Sequence, residues 1–244
     1  MPKRSRDVPG PLIWLQPDAP RSRELSRKQI VLAAVAVADE GGAQALTMTA
    51  VARRLGPYSP MALYRYVSSK DGLIDLMLDH AIAEIELPAE PSRAWRSDIQ
   101  RIASSTWEMV MRHGWYAQLV YSRPPLGPNT MRRAEALLQI LTRRGASPDE
   151  AMTYAALIDR TIFGSALQDV EERAMEQRYG LSSPGQVADA ITAVRDLAAA
   201  SGDYPILSAW MADPKVAIPG EQFELSFGFL LDGIAARLRR RKRI

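Results

Sequence analysis

Residues 47–70 read Thr-Met-Thr-Ala-Val-Ala-Arg-Arg-Leu-Gly-Pro-Tyr-Ser-Pro-Met-Ala-Leu-Tyr-Arg-Tyr-Val-Ser-Ser-Lys, two short helices with a stop between them. Thr47 is a hydroxyl cap for a helix over 48–55, with Val51, Ala52 and Leu55 on one face. Gly56-Pro57 ends it. Ser59 caps the next helix, and Pro60 takes its first position, where a missing N–H costs nothing. That helix runs to about Tyr66 and turns Leu63 and Val67 inward. Small residues are needed where two helices cross, and Ala52 and Gly56 supply them. The spacing predicts a helix-turn-helix.

Upstream, Ser26 caps a helix over 27–40 with Ile30, Ala33, Ala34, Val37 and Ala38 on its apolar face, and Gly41-Gly42 stops it. Downstream, Ser68 or Ser69 caps a helix over 70–86. Beyond the Pro88–Pro91 break, helical periodicity marks 93–113, 115–121, 129–144, 148–178, 185–200, 204–211 and 219–240. No stretch alternates with the period of two that a strand needs. The expected fold is all-α. Residues 1–25 hold five prolines and are expected to form a flexible basic arm. The division expected is that arm, a helix-turn-helix domain over 26–72, a helical ligand-binding and dimerisation domain over 73–236, and a basic tail over 237–244.

Charge follows the same division. Residues 1–72 carry 11 basic and 6 acidic side chains, 73–236 carry 14 and 22, and the last eight residues carry 6 basic and none acidic. A polyanion can therefore dock at the N-terminal end without meeting the acidic body. The chain has 244 residues and no Cys, which excludes disulfides, a thiol nucleophile and Cys-ligated zinc. No apolar run reaches the roughly 18–20 residues of a membrane span. Pro11-Leu12-Ile13-Trp14-Leu15 is too short for a signal-peptide core, so a soluble cytoplasmic chain is expected, with no membrane partner.

A helix in the major groove reads base edges with its first turn, and hydroxyls and cations hold phosphates. The candidate DNA-binding residues are Thr47, Thr49, Tyr58, Ser59, Pro60, Met61, Ala62, Tyr64, Arg65, Tyr66 and Lys70. Met61 and Ala62 suit thymine methyls, Tyr64 and Tyr66 suit phosphates, and Arg65 suits guanine or the backbone. The competing reading is a helical hairpin inside a generic bundle, as in a protein–protein scaffold without DNA binding. Catalysis has little to stand on. His80 and His113 are the only histidines and lack metal-ligand spacing, and Glu171-Glu172 beside Arg173 reads as a solvated face. No catalytic residue, metal or cofactor is expected.

The run Leu46 to Lys70, with Asp71-Gly72-Leu73-Ile74-Asp75 after it, resembles the N-terminal domain of TetR-family transcriptional regulators. Thr47, Val51-Ala52, Leu55-Gly56, Leu63-Tyr64, Tyr66, Val67 and Lys70 carry the likeness. The turn Gly56-Pro57-Tyr58-Ser59 is one residue longer than in many members, and Tyr66 stands where the family usually has His. Asp203-Tyr204-Pro205-Ile206-Leu207 and the closing helix with Phe223, Phe227-Gly228-Phe229 and Leu231-Asp232-Gly233-Ile234 resemble the C-terminal domain of tetracycline-repressor-like members.

The resemblance implies a homodimer that binds double-stranded operator DNA and releases it when a small molecule binds the body. Phe223, Phe227, Leu230, Leu231 and Ile234 form a broad apolar face expected at the dimer interface, with Ser226, Gly228 and Gly233 allowing close approach; the competing reading is that they only complete the monomer's core. Trp107, Met111, His113, Trp115, Tyr116, Leu119, Tyr154, Phe163 and Gln168 are expected to line a pocket for an apolar or aromatic effector. Arg21, Arg23 and the Arg-rich tail are further candidates for DNA contact.

Overall fold

The computed structural model describes residues 13–15, 25–123, 126–179, 184–212 and 219–241. Every regular element among them is helical, as the periodicity predicts. Arg21, Arg23 and residues 242–244 lie outside the described residues.

Helix α1 (Arg27–Ala45) begins at Ser26, whose Oγ accepts a hydrogen bond from the Gln29 N–H at 3.2 Å. Gly42 breaks it with φ 74°, so regular α geometry ends at the expected glycine pair and a short turn carries on to Ala45. Helices α2 (Met48–Leu55) and α3 (Pro60–Val67) follow, each capped by its hydroxyl residue. Ile30, Ala34, Val51, Leu63 and Val67 are almost fully buried and close a small core over α4 (Lys70–Ile82). Burying a Leu or Val this completely is worth about 1.5–3 kcal/mol. Helix α4 ends at Ile82, earlier than the periodicity suggests, and the turn after it buries Ile85.

Gly56 differs from its expected role. It has φ 104°, and a Cβ there would meet nothing, so the residue serves the turn and not the helix crossing. The N-terminal segment also departs from a free arm. Ile13–Leu15 form one 3-10 turn against α4, and Ile13 is only 1% exposed.

The second body contains α5 (Trp95–Arg112), α6 (Trp115–Val120), α7 (Pro128–Arg143), α8 (Pro148–Arg178) and α11 (Pro219–Arg241). Helix α8, 31 residues long, is its axis, and α5, α6, α7 and α11 all pack on it. Helices α9 (Pro184–Ser201) and α10 (Pro205–Ala212) pack on each other. Helix α4 touches α1 and α3 on one side and α5, α6 and α7 on the other, so it belongs to both bodies.

Candidate DNA-binding and effector sites

The two hydroxyl caps set the helix-turn-helix. Thr47 Oγ1 accepts from the Ala50 N–H at 3.1 Å, and Ser59 Oγ accepts from the Ala62 N–H at 3.3 Å. Arg27 Nε donates to the Tyr66 carbonyl at 3.0 Å and pins the end of α3 to α1. Leu63 and Val67 anchor the inner face, and the outer face is left with Met61, 74% exposed, and Arg65. Thr47, Thr49, Ser59 and Lys70 are exposed as well. Pro60 and Ala62 are half-buried, and Tyr58, Tyr64 and Tyr66 lean against the core with part of each ring. The tyrosines are therefore braces as well as candidate DNA contacts, where the sequence suggested only exposed side chains at Tyr64 and Tyr66.

The start of α4 is equally constrained. Ser68 has φ 61°, and Ser69 Oγ accepts from the Gly72 N–H at 2.8 Å. A Cβ on Gly72 would collide with the Val67 carbonyl oxygen. The α3–α4 corner that presents Lys70 thus needs glycine.

One face of α4 carries Asp71, Asp75 and Asp79, each a turn apart. Arg123 grips Asp75 through Nε at 2.7 Å and Nη2 at 2.9 Å, and reaches Asp71 at 2.9 Å. Asp79, only 3% exposed, accepts from the Asn129 N–H, the Asn129 amide, the Thr130 N–H and the Thr130 hydroxyl. It caps α7 from another helix. A second clamp joins α1 to the α5–α6 corner. His113 Nδ1 lies 2.7 Å from Asp39 Oδ1, His113 Nε2 lies 3.1 Å from Glu84, and Trp115 Nε1 donates to Asp39 at 2.6 Å. Arg112 pairs with the same Glu84. His113 and Trp115, expected in the pocket, instead fasten the body to α1, because their polar atoms are committed to carboxylates.

Of the other expected pocket residues, Tyr116, Tyr154 and Phe163 are buried, while Trp107, Met111 and Leu119 are half-buried. Tyr116 and Phe163 lie with ring centroids 5.5 Å apart. Burial pushes the Tyr116 phenol well above the ordinary tyrosine range. Trp107 stacks on Phe223 at 4.5 Å. Gln168 does not face inward. It is exposed and donates to Glu172 one turn on, so it leaves the pocket set. Arg133, not singled out from sequence, is 4% exposed between Tyr116, Phe163 and Asp159.

The expected dimer face also changes. Phe223, Phe227, Leu231 and Ile234 are buried within the chain and Leu230 packs against the same core. An apolar helix face that can be covered by its own chain is covered there first. The outward side of α11 shows Leu225 at 58% and Phe229 at 67% exposure, with Gly233 beyond them. Among the described residues, a Cβ on Gly228 or Gly233 would meet nothing within 4 Å.

Residues 87–238 match the family description "Tetracyclin repressor-like, C-terminal domain", and residues 30–77 match "Bacterial regulatory proteins, tetR family". The chain belongs to the TetR family. It is 33% identical over 223 residues to the transcriptional repressor DrrR1 of Streptomyces coeruleorubidus, covering 89% of this chain and 80% of that one. It is 29% identical over 206 residues to an HTH-type transcriptional regulator of Saccharopolyspora erythraea, covering 84% and 83%. Apo ActR of Streptomyces coelicolor superposes with a TM-score of 0.73 at 26% identity, over 88% of this chain and 98% of ActR. As a TetR-family member the chain is a ligand-responsive, DNA-binding transcriptional regulator. Among the described residues, no group of three or more His, Asp or Glu is placed to hold a metal ion. Among them too, no helix is long and apolar enough to cross a membrane.

Proposed function

We propose that this TetR-family chain is a homodimeric repressor whose α3 reads a near-palindromic operator and whose body releases it on binding a small molecule. The carrying observation is the split of α3: Leu63 and Val67 are fully buried while Met61 and Arg65 stand out from the body. Thr47, Thr49, Ser59 and Lys70 flank the reading edge and supply phosphate contacts, and Tyr58, Tyr64 and Tyr66 contribute their exposed edges. Helix α4 is the shared element between a DNA-reading unit over 26–72 and an effector unit over 73–236.

A dimer places two α3 helices one helical turn apart, about 34 Å. The surface we assign to that contact is the outward side of α11, centred on Leu225 and Phe229. DrrR1 is a repressor, and ActR has been solved with actinorhodin bound. Both likenesses support repression relieved by a small molecule. In the proposed switch, ligand shifts α6 and α7, and the Asp39 and Asp79 clamps carry that shift to α1 and α4. Operator affinity then falls by the difference in ligand affinity between the two states.

The test is selection of genomic fragments by the purified protein, followed by a compound screen for release. Arg65→Ala should relax base preference, and Lys70→Ala should weaken all sequences alike while lowering the salt slope by about one. Equal binding to every duplex by the unmodified protein would refute the reading.

A further inference from the structure

Four side chains from three helices meet in the second body. Tyr116 comes from α6, Arg133 from α7, and Asp159 and Phe163 from α8. Tyr116 is fully buried and Arg133 is 4% exposed. Arg133 Nη1 lies 2.7 Å from Asp159 Oδ1, an ion pair whose angles fall short of a directed hydrogen bond. The Arg133 guanidinium carbon sits 5.9 Å from the Phe163 ring centre, and the same ring lies against Tyr116.

Three donors in this cluster have no acceptor among the described residues: Arg133 Nε, Arg133 Nη2 and the Tyr116 hydroxyl. Leaving such donors buried without a partner is costly, so the arrangement needs a reason. The position of the two nitrogens supplies one. Nε and Nη2 form one edge of the guanidinium, with parallel N–H bonds spaced to match the two oxygens of a carboxylate. Arg123 in this same chain uses that edge to grip Asp75, at 2.7 and 2.9 Å. On Arg133 the guanidinium sits over the Phe163 ring, which in turn lies against Tyr116, and no carboxylate among the described residues takes this edge.

We infer that the effector of this protein is an aromatic carboxylic acid, or a molecule presenting an equivalent pair of anionic oxygens, gripped by the Nε–Nη2 edge of Arg133, with the Tyr116 hydroxyl donating to it and Phe163 against its ring. This rests on reading the second body as the effector unit and goes beyond it by naming the chemical class. Asp159 has a defined part. It holds the opposite edge of the guanidinium and so aims the free edge. Tyr116 stays a neutral donor, because burial disfavours its phenolate. Arg133 belongs to the helix whose start is capped by Asp79, so a ligand on it acts on the helix fastened to α4.

The experiment compares full-length wild type, Arg133→Lys and Tyr116→Phe by titration calorimetry against pairs of aromatic acids and their methyl esters, beginning with 2-naphthoic acid and methyl 2-naphthoate. Arg133→Lys keeps the charge facing Asp159 and loses the planar edge, and circular dichroism checks its fold. Wild type should bind acids about tenfold or more tighter than their esters. Arg133→Lys should lose that preference, and Tyr116→Phe should weaken acid binding several-fold. The inference is overturned if esters bind wild type as well as acids do, if Arg133→Lys keeps the preference, or if no acid in the panel binds. Neutral compounds that release the selected operator with equal potency from wild type and Arg133→Lys would leave the effector reading standing and remove only the carboxylate. An operator that no compound releases would remove both.

Discussion

Replacing Asp79 with Ala removes a cap that one helix lends to another. The carboxylate accepts four hydrogen bonds, from the backbone N–H groups of Asn129 and Thr130 and from both of their side chains. Loss of the capping function costs roughly 0.5–2 kcal/mol. Contacts to a charged, buried acceptor add about 1.5–3 kcal/mol. The expected loss is about 3 kcal/mol, since the two contributions overlap. For a chain of this length each kcal/mol moves Tm by roughly 2–4 °C, so Tm should fall by about 6–12 °C. Circular dichroism at 222 nm during heating reads it, and urea unfolding gives the free energy independently. Asp79→Asn keeps one acceptor oxygen and should fall between. A change below about 0.5 kcal/mol, the range of an ordinary surface substitution, would show that the cap is not holding α7 to α4.

Gly72→Ala should unseat the α3–α4 corner through its collision with the Val67 carbonyl, with a loss of about 1–3 kcal/mol and weaker DNA binding than Leu73→Val; equal binding by both would refute it. Phe229→Asp should convert the dimer to monomer at micromolar concentration with helix content retained, while Phe223→Ala should destabilise the chain itself by about 3–5 kcal/mol; sedimentation and melting separate the two. Because the folded-state pKa of Tyr116 is raised, the unfolded chain releases that proton first. Stability should then fall by up to about 1.4 kcal/mol per pH unit above roughly pH 10, and Tyr116→Phe should lose that component. Unfolding in urea across pH 9–11.5 measures it.

The helix-turn-helix was legible because each of its signals is local. Thr47, Gly56, Ser59-Pro60 and the inward pair Leu63 and Val67 act within a turn or two of themselves. The clamps were not, although the spacing of Asp71, Asp75 and Asp79 stands in plain view. Their partners are brought in by tertiary docking, Asn129 and Thr130 on α7 and Arg123 from the segment after α6, which no local rule encodes. The pocket shows the same limit. His113 and Trp115 have the right residue types, but Asp39 from a distant helix claims their polar atoms. Periodicity along α11 marks one broad apolar face. It could not say whether a partner or the chain's own core would cover that face, and Phe223, Phe227, Leu231 and Ile234 went inside. Arg133 escaped notice because an arginine in an amphipathic helix ordinarily points to water.

The division of labour along α3 bears on how such a regulator changes its targets. Leu63 and Val67 do the anchoring, and the tyrosines steady the helix from its flanks. Met61 and Arg65 stand out from the body. On the reading proposed above, substitution at those two positions would redirect the protein to a new promoter while its architecture stays intact, and lineages descended from one scaffold would be free to drift apart in the genes they govern.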